Sequence, residues 1–301
     1  MTRAFVALLG AALASIGVPA AAQEAEFSTS VNAPTADDGE AHAAEFVPNR
    51  MGTALFSAGA GLELGGRSFH YTLSPANTRN LRPYDIFPAP LIWVAGELYP
   101  AAPSDIDFIK DLGLAASYAH AIGVDAEATQ GRTFATSWTK LQLGLKYRIR
   151  LDGAKGPLLG LGLGYAREAC TFEAESEASL DIAGDVASVD YEAVRPAVDL
   201  RIPIGAFSLT FGLAYLGVVS AGEVYDRFTP FNRGTNGNAS LGAIELLAGM
   251  GLEVTRGVEV RLLFQYSRYF YSFEPVPGDP YVAGGALDQF YGFRLGAFYT
   301  Y

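Results

Sequence analysis

The most constraining feature of this sequence is a strict alternation of bulky apolar residues with glycine or charge. In residues 140–150, Leu141, Leu143, Leu145, Tyr147 and Ile149 share one parity, while Lys140, Gln142, Gly144, Lys146, Arg148 and Arg150 share the other. Successive side chains of a strand point to opposite faces, so period two makes a ribbon with one apolar and one polar face. The same code recurs at 158–168, 194–202, 207–215, 244–254 and 258–267. In 207–215, for example, Phe207, Leu209, Phe211, Leu213 and Tyr215 oppose Ser208, Thr210, Gly212 and Ala214. Segments 54–72, 91–99 and 112–122 carry it more weakly, and 289–301 closes the series.

Nearly every segment thus sets Leu, Val or Phe against glycine and mixed charge. A soluble β-sandwich does not explain that pairing, whereas strands with hydrocarbon outside and a polar lumen inside do. The expected fold is all-β: an antiparallel transmembrane β-barrel of ten strands, with eight or twelve as alternatives. The connections point the same way. Those after the even strands are short, near 100–107, 151–155, 203–206 and 255–257, and Asp152-Gly153 and Arg256-Gly257 suit tight turns. Those after the odd strands are longer, near 73–86, 124–131, 173–188, 219–239 and 274–286. Short turns at one end and long loops at the other are a property of membrane barrels. Gly65-Gly66 would suit a hairpin, which would split the first strand and lead towards twelve.

Composition excludes other classes. With 21 Lys+Arg against 32 Asp+Glu the chain carries a formal charge of -11, which disfavours nucleic acid as a partner. Cys170 is the single cysteine, so no disulfide forms within the chain. The only long apolar run is N-terminal, which rules out a multi-span helical protein. There Arg3, the stretch Ala4 to Val18 and Ala20-Ala21-Ala22 form the n-region, h-region and small-residue cleavage site of a secretory signal peptide, residues 1–22. Residues 23–53 hold Glu24, Glu26, Asp37, Asp38, Glu40 and Glu45 and no basic residue before Arg50. That is too little apolar content to offset the entropy of ordering, so a disordered acidic periplasmic tail is expected. Residues 54–301 form the barrel.

The chain ends Leu295-Gly-Ala-Phe-Tyr-Thr-Tyr301, an alternating strand with a terminal aromatic. This resembles the C-terminal signal by which bacterial outer-membrane β-barrel proteins engage their assembly machinery. The resemblance is at superfamily level and covers about four fifths of the chain. It implies residence in the outer membrane of a Gram-negative-type envelope, contact with outer-membrane lipid, and recognition of the strand ending at Tyr301 by the assembly machinery.

The inward parity assigns a lumen lined by Glu63, Arg67, Glu97, Lys146, Arg148, Glu168, Arg195, Asp199, Arg201, Glu245, Glu253, Glu259, Arg261 and Arg294. Confined charges are costly unless paired, so acid–base ladders across the lumen are expected. A ten-stranded barrel is narrow enough for side chains to fill, though inward glycines such as Gly162 and Gly251 would leave room for a thin path. No catalytic, metal or cofactor site is assigned. Barrel proteases and lipid-modifying barrel enzymes use histidine beside carboxylates or serine. Here His70 lies beside Ser68 and Ser74, His120 and Ser117 fall on opposite faces, and His42 has no neighbouring ligand types. Cys170 reads as a wall residue. The third long loop is acidic, with Glu173, Glu175, Glu177, Asp181, Asp185 and Asp190, and the fourth mixes Tyr225, Phe228 and Phe231 with Arg227, Arg233 and asparagines. The leading expectation is a non-enzymatic barrel that acts through its extracellular loops, on a partner the sequence does not identify. A narrow pore for ions or small polar solutes comes second, and a hydrolase of lipid or peptide third.

Overall fold

A computed structural model of the chain describes residues 51–72, 84–127, 133–153, 156–172, 188–222, 240–272 and 284–301. The expected signal peptide, His42 and the rest of the acidic tail through Arg50 lie outside the described residues, as do Glu173 to Asp185 and Tyr225 to Arg233 of the long loops.

Eleven strand segments form one antiparallel sheet: β1 (Phe56–Thr72), β2 (Tyr84–Leu98), β3 (Leu112–Ala121), β4 (Val124–Glu127), β5 (Thr133–Arg150), β6 (Leu158–Phe172), β7 (Val189–Ile204), β8 (Phe207–Ser220), β9 (Ser240–Thr255), β10 (Val258–Ser272) and β11 (Gly285–Thr300). β3 and β4 both pair with β5, so they are two pieces of one wall strand. Each strand pairs with its sequence neighbours, and β1 pairs with β11 from Ser57↔Thr300 to Thr72↔Gly285, which closes the ring. The result is a ten-stranded barrel. Gly65-Gly66 is no hairpin: β1 runs through it, and the irregularity there is a register shift against β2 between Gly65 and Arg67.

Both described ends of the chain meet at what we call the lower end, where Leu55 N–H donates to Tyr301 O at 2.6 Å. The turns β7–β8 and β9–β10 at this end are tight, with Gly205 at φ 62° and Gly257 at φ 84°. Only glycine adopts such angles without strain.

The surface is inverted relative to a soluble protein. Leu163, Met250 and Leu213 are 59%, 55% and 51% exposed on the outer wall, whereas Glu63, Arg67 and Arg148 are each 1% exposed inside. Aromatic side chains band the outer wall at two heights. Phe56, Tyr299 and Tyr301 pack together below, with ring centroids 5.8–6.0 Å apart. Phe87 and Tyr291 meet above, at 5.9 Å. Such girdles bound the ~25 Å hydrocarbon band of membrane barrels. A 15-residue strand tilted by about 40° rises roughly 38 Å, so the upper wall extends beyond that band.

Several strands outrun their sequence signal at the upper end. β2 begins at Tyr84 rather than 91, β7 at Val189 rather than 194, and β6 continues to Phe172. Asp190, expected in the acidic loop, belongs to β7, where Arg167 grips it from β6.

Candidate functional site: the barrel lumen

The lumen is built in three storeys. At the floor, Arg148 donates from Nε to Asp111 at 2.9 Å and from Nη1 to the carbonyls of Ala54 at 2.7 Å and Met51 at 3.1 Å. Arg150 takes the second oxygen of Asp111 at 2.8 Å. The Tyr99 ring lies under the Arg148 guanidinium at 3.9 Å, a cation–π contact, and its hydroxyl donates to Glu97 at 2.9 Å. Burial, reinforced by the Glu97 carboxylate, pushes the Tyr99 phenol well above its ordinary range, so it stays a donor. Glu253 sits on the lower rim, its backbone N–H on the carbonyl of Ala206 at 2.8 Å.

The middle storey is a set of shared ion pairs. Lys146 bridges Glu97 at 2.8 Å and Asp199 at 2.9 Å. Glu259 accepts from Arg201 at 2.5 Å, Arg261 at 2.8 Å and Ser208 at 2.5 Å. Glu63 joins Lys140 and Arg294, both at 2.6 Å. Glu245 pairs with Arg195 and also accepts from Gln142 at 2.9 Å and Gln265 at 3.0 Å. Within this storey lies a cavity of about 250 Å³, bordered by Gly162, Gly212, Leu247, Phe298 and several of these charges. Arg195 Nε and Arg201 Nη1 are buried without a protein partner. In a polar cavity of this size such atoms are places for water.

The upper storey is filled by buried side chains. Trp138, Tyr191, Phe290, Leu91 and Cys170 are at most 1% exposed. Tyr191 stacks on Tyr269 at 3.8 Å, and Phe290 meets Trp138, Tyr191 and Tyr269 at 5.4–6.3 Å. Their polar ends are paired. Glu168 accepts from Trp138 Nε1 at 3.3 Å and Tyr269 at 3.1 Å. Asp288 accepts a bidentate grip from Arg67 at 2.9 and 2.8 Å and the Tyr191 hydroxyl at 2.7 Å. Tyr191 also meets the Tyr271 hydroxyl.

Asp288, Asp111, Lys140, Gln142 and Gln265 share these networks but were absent from the sequence-assigned lumen set. Asp288 had a usable signal: it continues the inward parity of β11 one residue before its predicted start. Asp111 had none, because its side chain is placed by a connection rather than by strand alternation.

The inward glycines divide by what faces them. A Cβ on Gly251 would lie 1.9 Å from Glu259 Oε1, one on Gly292 2.4 Å from Glu63 Oε1, and one on Gly59 2.5 Å from the Phe298 ring. These positions are already filled by neighbours. At Gly162 the nearest atom would be 3.6 Å away, so it borders open space.

Both described histidines share the outward parity. His120 stands parallel to Tyr118 (6.5 Å, 8°) between Ile92 and Thr139 on the adjoining strands. His70 pairs with Leu287. Among the described residues, no ion pair joins either histidine to a carboxylate, and no group of three or more His, Cys, Asp or Glu is placed to hold a metal. A concavity of about 630 Å³ lies among Ala58, Ala60, Gly96, Ala116 and Tyr118 on the outer wall, away from the charged lumen.

No protein-family model matches the sequence, and no curated protein matches it. Among solved structures, the chain is similar to the outer membrane protease OmpT from Escherichia coli, with 12% identity and a TM-score of 0.46 over 82% of this chain and 96% of that one. Neisserial surface protein A is 9% identical with a TM-score of 0.34, covering 82% and 97% of the two chains. The translocator domain of the autotransporter NalP from Neisseria meningitidis is 10% identical with a TM-score of 0.37, covering 82% and 88%. The closed ring, its inverted surface and its tight β7–β8 and β9–β10 turns make this chain a ten-stranded antiparallel transmembrane β-barrel.

Proposed function

We propose that this chain is a sealed barrel of the outer membrane, and that its wall serves as a fixed anchor for the segments it displays above the upper rim. The observation that carries this reading is the upper storey. A buried aromatic layer whose polar tips are tied to Glu168 and Asp288 fills the lumen there, and that packing is what supports a barrier to solutes. Among the described residues neither histidine forms an ion pair with a carboxylate, so the histidines add no support to hydrolysis. Export would use residues 1–22, and insertion would use the strand ending at Tyr301, whose backbone is bonded to β1 and whose ring is 68% exposed at the lower girdle.

The test is single-channel recording on refolded protein in a planar bilayer, with heat-modifiable gel migration to verify the barrel. Folded wild type is expected to be electrically silent. Discrete, reproducible steps from the wild type would refute the sealed reading. The charged 250 Å³ cavity favours a second reading, a narrow path for ions. On that reading Trp138→Ala with Phe290→Ala would raise an existing current rather than create one.

A further inference from the structure

The longest connection at the lower end joins β2 to β3. The β7–β8 and β9–β10 turns leave two residues between strands, but β2 ends at Leu98 and β3 begins at Leu112. The connection is ordered from within by the bonds Ala102 N–H to Tyr99 O, Ser104 N–H to Ala101 O and Lys110 N–H to Ile106 O, at 2.9–3.1 Å. It closes with a short 3₁₀ turn, Ile109–Asp111.

Its two faces differ in chemistry. Asp111, 6% exposed, is pinned into the barrel floor by Arg148 and Arg150, which fixes the orientation of the whole segment. The opposite face presents Ile106, Phe108 and Ile109 at 58%, 66% and 44% exposure. Three large apolar side chains in one short segment form a contiguous patch that water would not favour. Phe108 also stacks on Tyr147, with centroids 5.1 Å apart at 29°. Tyr147 has the outward parity of β5 and pairs with Leu112 of β3, and Leu112 and Leu114 continue the exposed apolar wall upward. The patch is therefore continuous with the lipid-facing belt at the height of the lower aromatic girdle. Asp107 and Lys110 pair on its polar margin.

We propose that the β2–β3 connection is a membrane-interface foot: Ile106, Phe108 and Ile109 insert into the lower leaflet beside Tyr147 and hold the barrel at a fixed depth. The occupant of the patch is lipid, because the same surface runs without a break into the hydrocarbon belt. Aromatic rings at such interfaces sit at headgroup level with the apolar body inward. The inference stands apart from the sealed-anchor reading, since an open barrel would need the same foot.

The test is Phe108→Trp in phospholipid nanodiscs, with Ile106→Trp as a second reporter. Both native tryptophans, Trp93 and Trp138, are at most 4% exposed inside the lumen, so wild type supplies the background to subtract. The added fluorescence is expected to be blue-shifted, quenched by lipids brominated near the carbonyl more than by lipids brominated near the chain end, and protected from aqueous acrylamide. A red-shifted signal that acrylamide quenches and brominated lipid does not would overturn the proposal. So would a blue-shifted signal insensitive to bromine, which would mean that protein covers the patch. If one reporter does not refold, the other gives the same readout.

Discussion

Two arginine–aspartate pairs in this barrel have nearly the same geometry and opposite surroundings, which makes them a controlled experiment. Arg67 holds Asp288 at 2.9 and 2.8 Å, with side chains 1% and 0% exposed. Arg167 holds Asp190 at 2.7 and 2.6 Å, with side chains 46% and 30% exposed. If hydrogen-bond geometry set the energy, Asp288→Ala and Asp190→Ala would cost about the same. Burial argues otherwise. Removing Asp288 strands the Arg67 charge in the packed upper lumen and also takes the acceptor from Tyr191, so a loss of about 3–5 kcal/mol is expected. Removing Asp190 leaves Arg167 to water or headgroups, and about 0.2–1 kcal/mol is expected. The difference of about 2–5 kcal/mol, at ~1.4 kcal/mol per decade, separates the two folding constants by roughly thirtyfold to a few thousandfold. The assay is urea unfolding of protein in lipid vesicles, followed by the fluorescence of Trp93 and Trp138. A double replacement, Arg67→Met with Asp288→Leu, should recover most of the loss, because both charges leave together. Asp288→Ala and Asp190→Ala falling within about 1 kcal/mol of each other would refute the reasoning.

Two further outcomes follow from the same wall. Gly251→Val should cost roughly 1–3 kcal/mol, since its Cβ would displace the Glu259 carboxylate from Arg201 and Arg261, whereas Gly162→Ala should stay within about 0.5 kcal/mol of wild type; the same urea titration separates them. Leu62, 50% exposed between Leu295 and Ile92, lies within the apolar belt, so Leu62→Arg should lower stability by about 2–4 kcal/mol in bilayers, read from the shift in urea midpoint.

The part of the fold that could be read in sequence tracks the chemistry of the lumen storey by storey. In the lower and middle barrel the inward residues are charged or glycine, as in Lys140 to Arg150, and the alternation marks the strands to within a residue or two. In the upper barrel the inward residues turn apolar and aromatic: Leu91, Trp138, Tyr191, Tyr269 and Phe290. Both faces are then apolar, period two disappears, and the predicted strands stop short of Tyr84, Val189 and Ser272. The β2 bulge opposite Gly65–Arg67 compounds this by shifting parity, so that Tyr84 lies over Arg67 on the inner side although its number shares the parity of the outward Ile92.

Sequence alone determined what each strand does locally, namely which side meets lipid, which side meets the interior, and at which end the turns are short. Those properties depend only on neighbours along one strand, where the pleat imposes period two whatever the rest of the chain does. Tertiary structure decided what the interior is. Whether inward glycines open a path or make room, and whether a charge is paired, depends on residues such as Glu63, Lys140 and Arg294. The bonds of Glu63 to these partners span 77 and 231 positions. Closure of the ring and the stagger of its strands bring them to one height, and a period-two pattern carries no information about either.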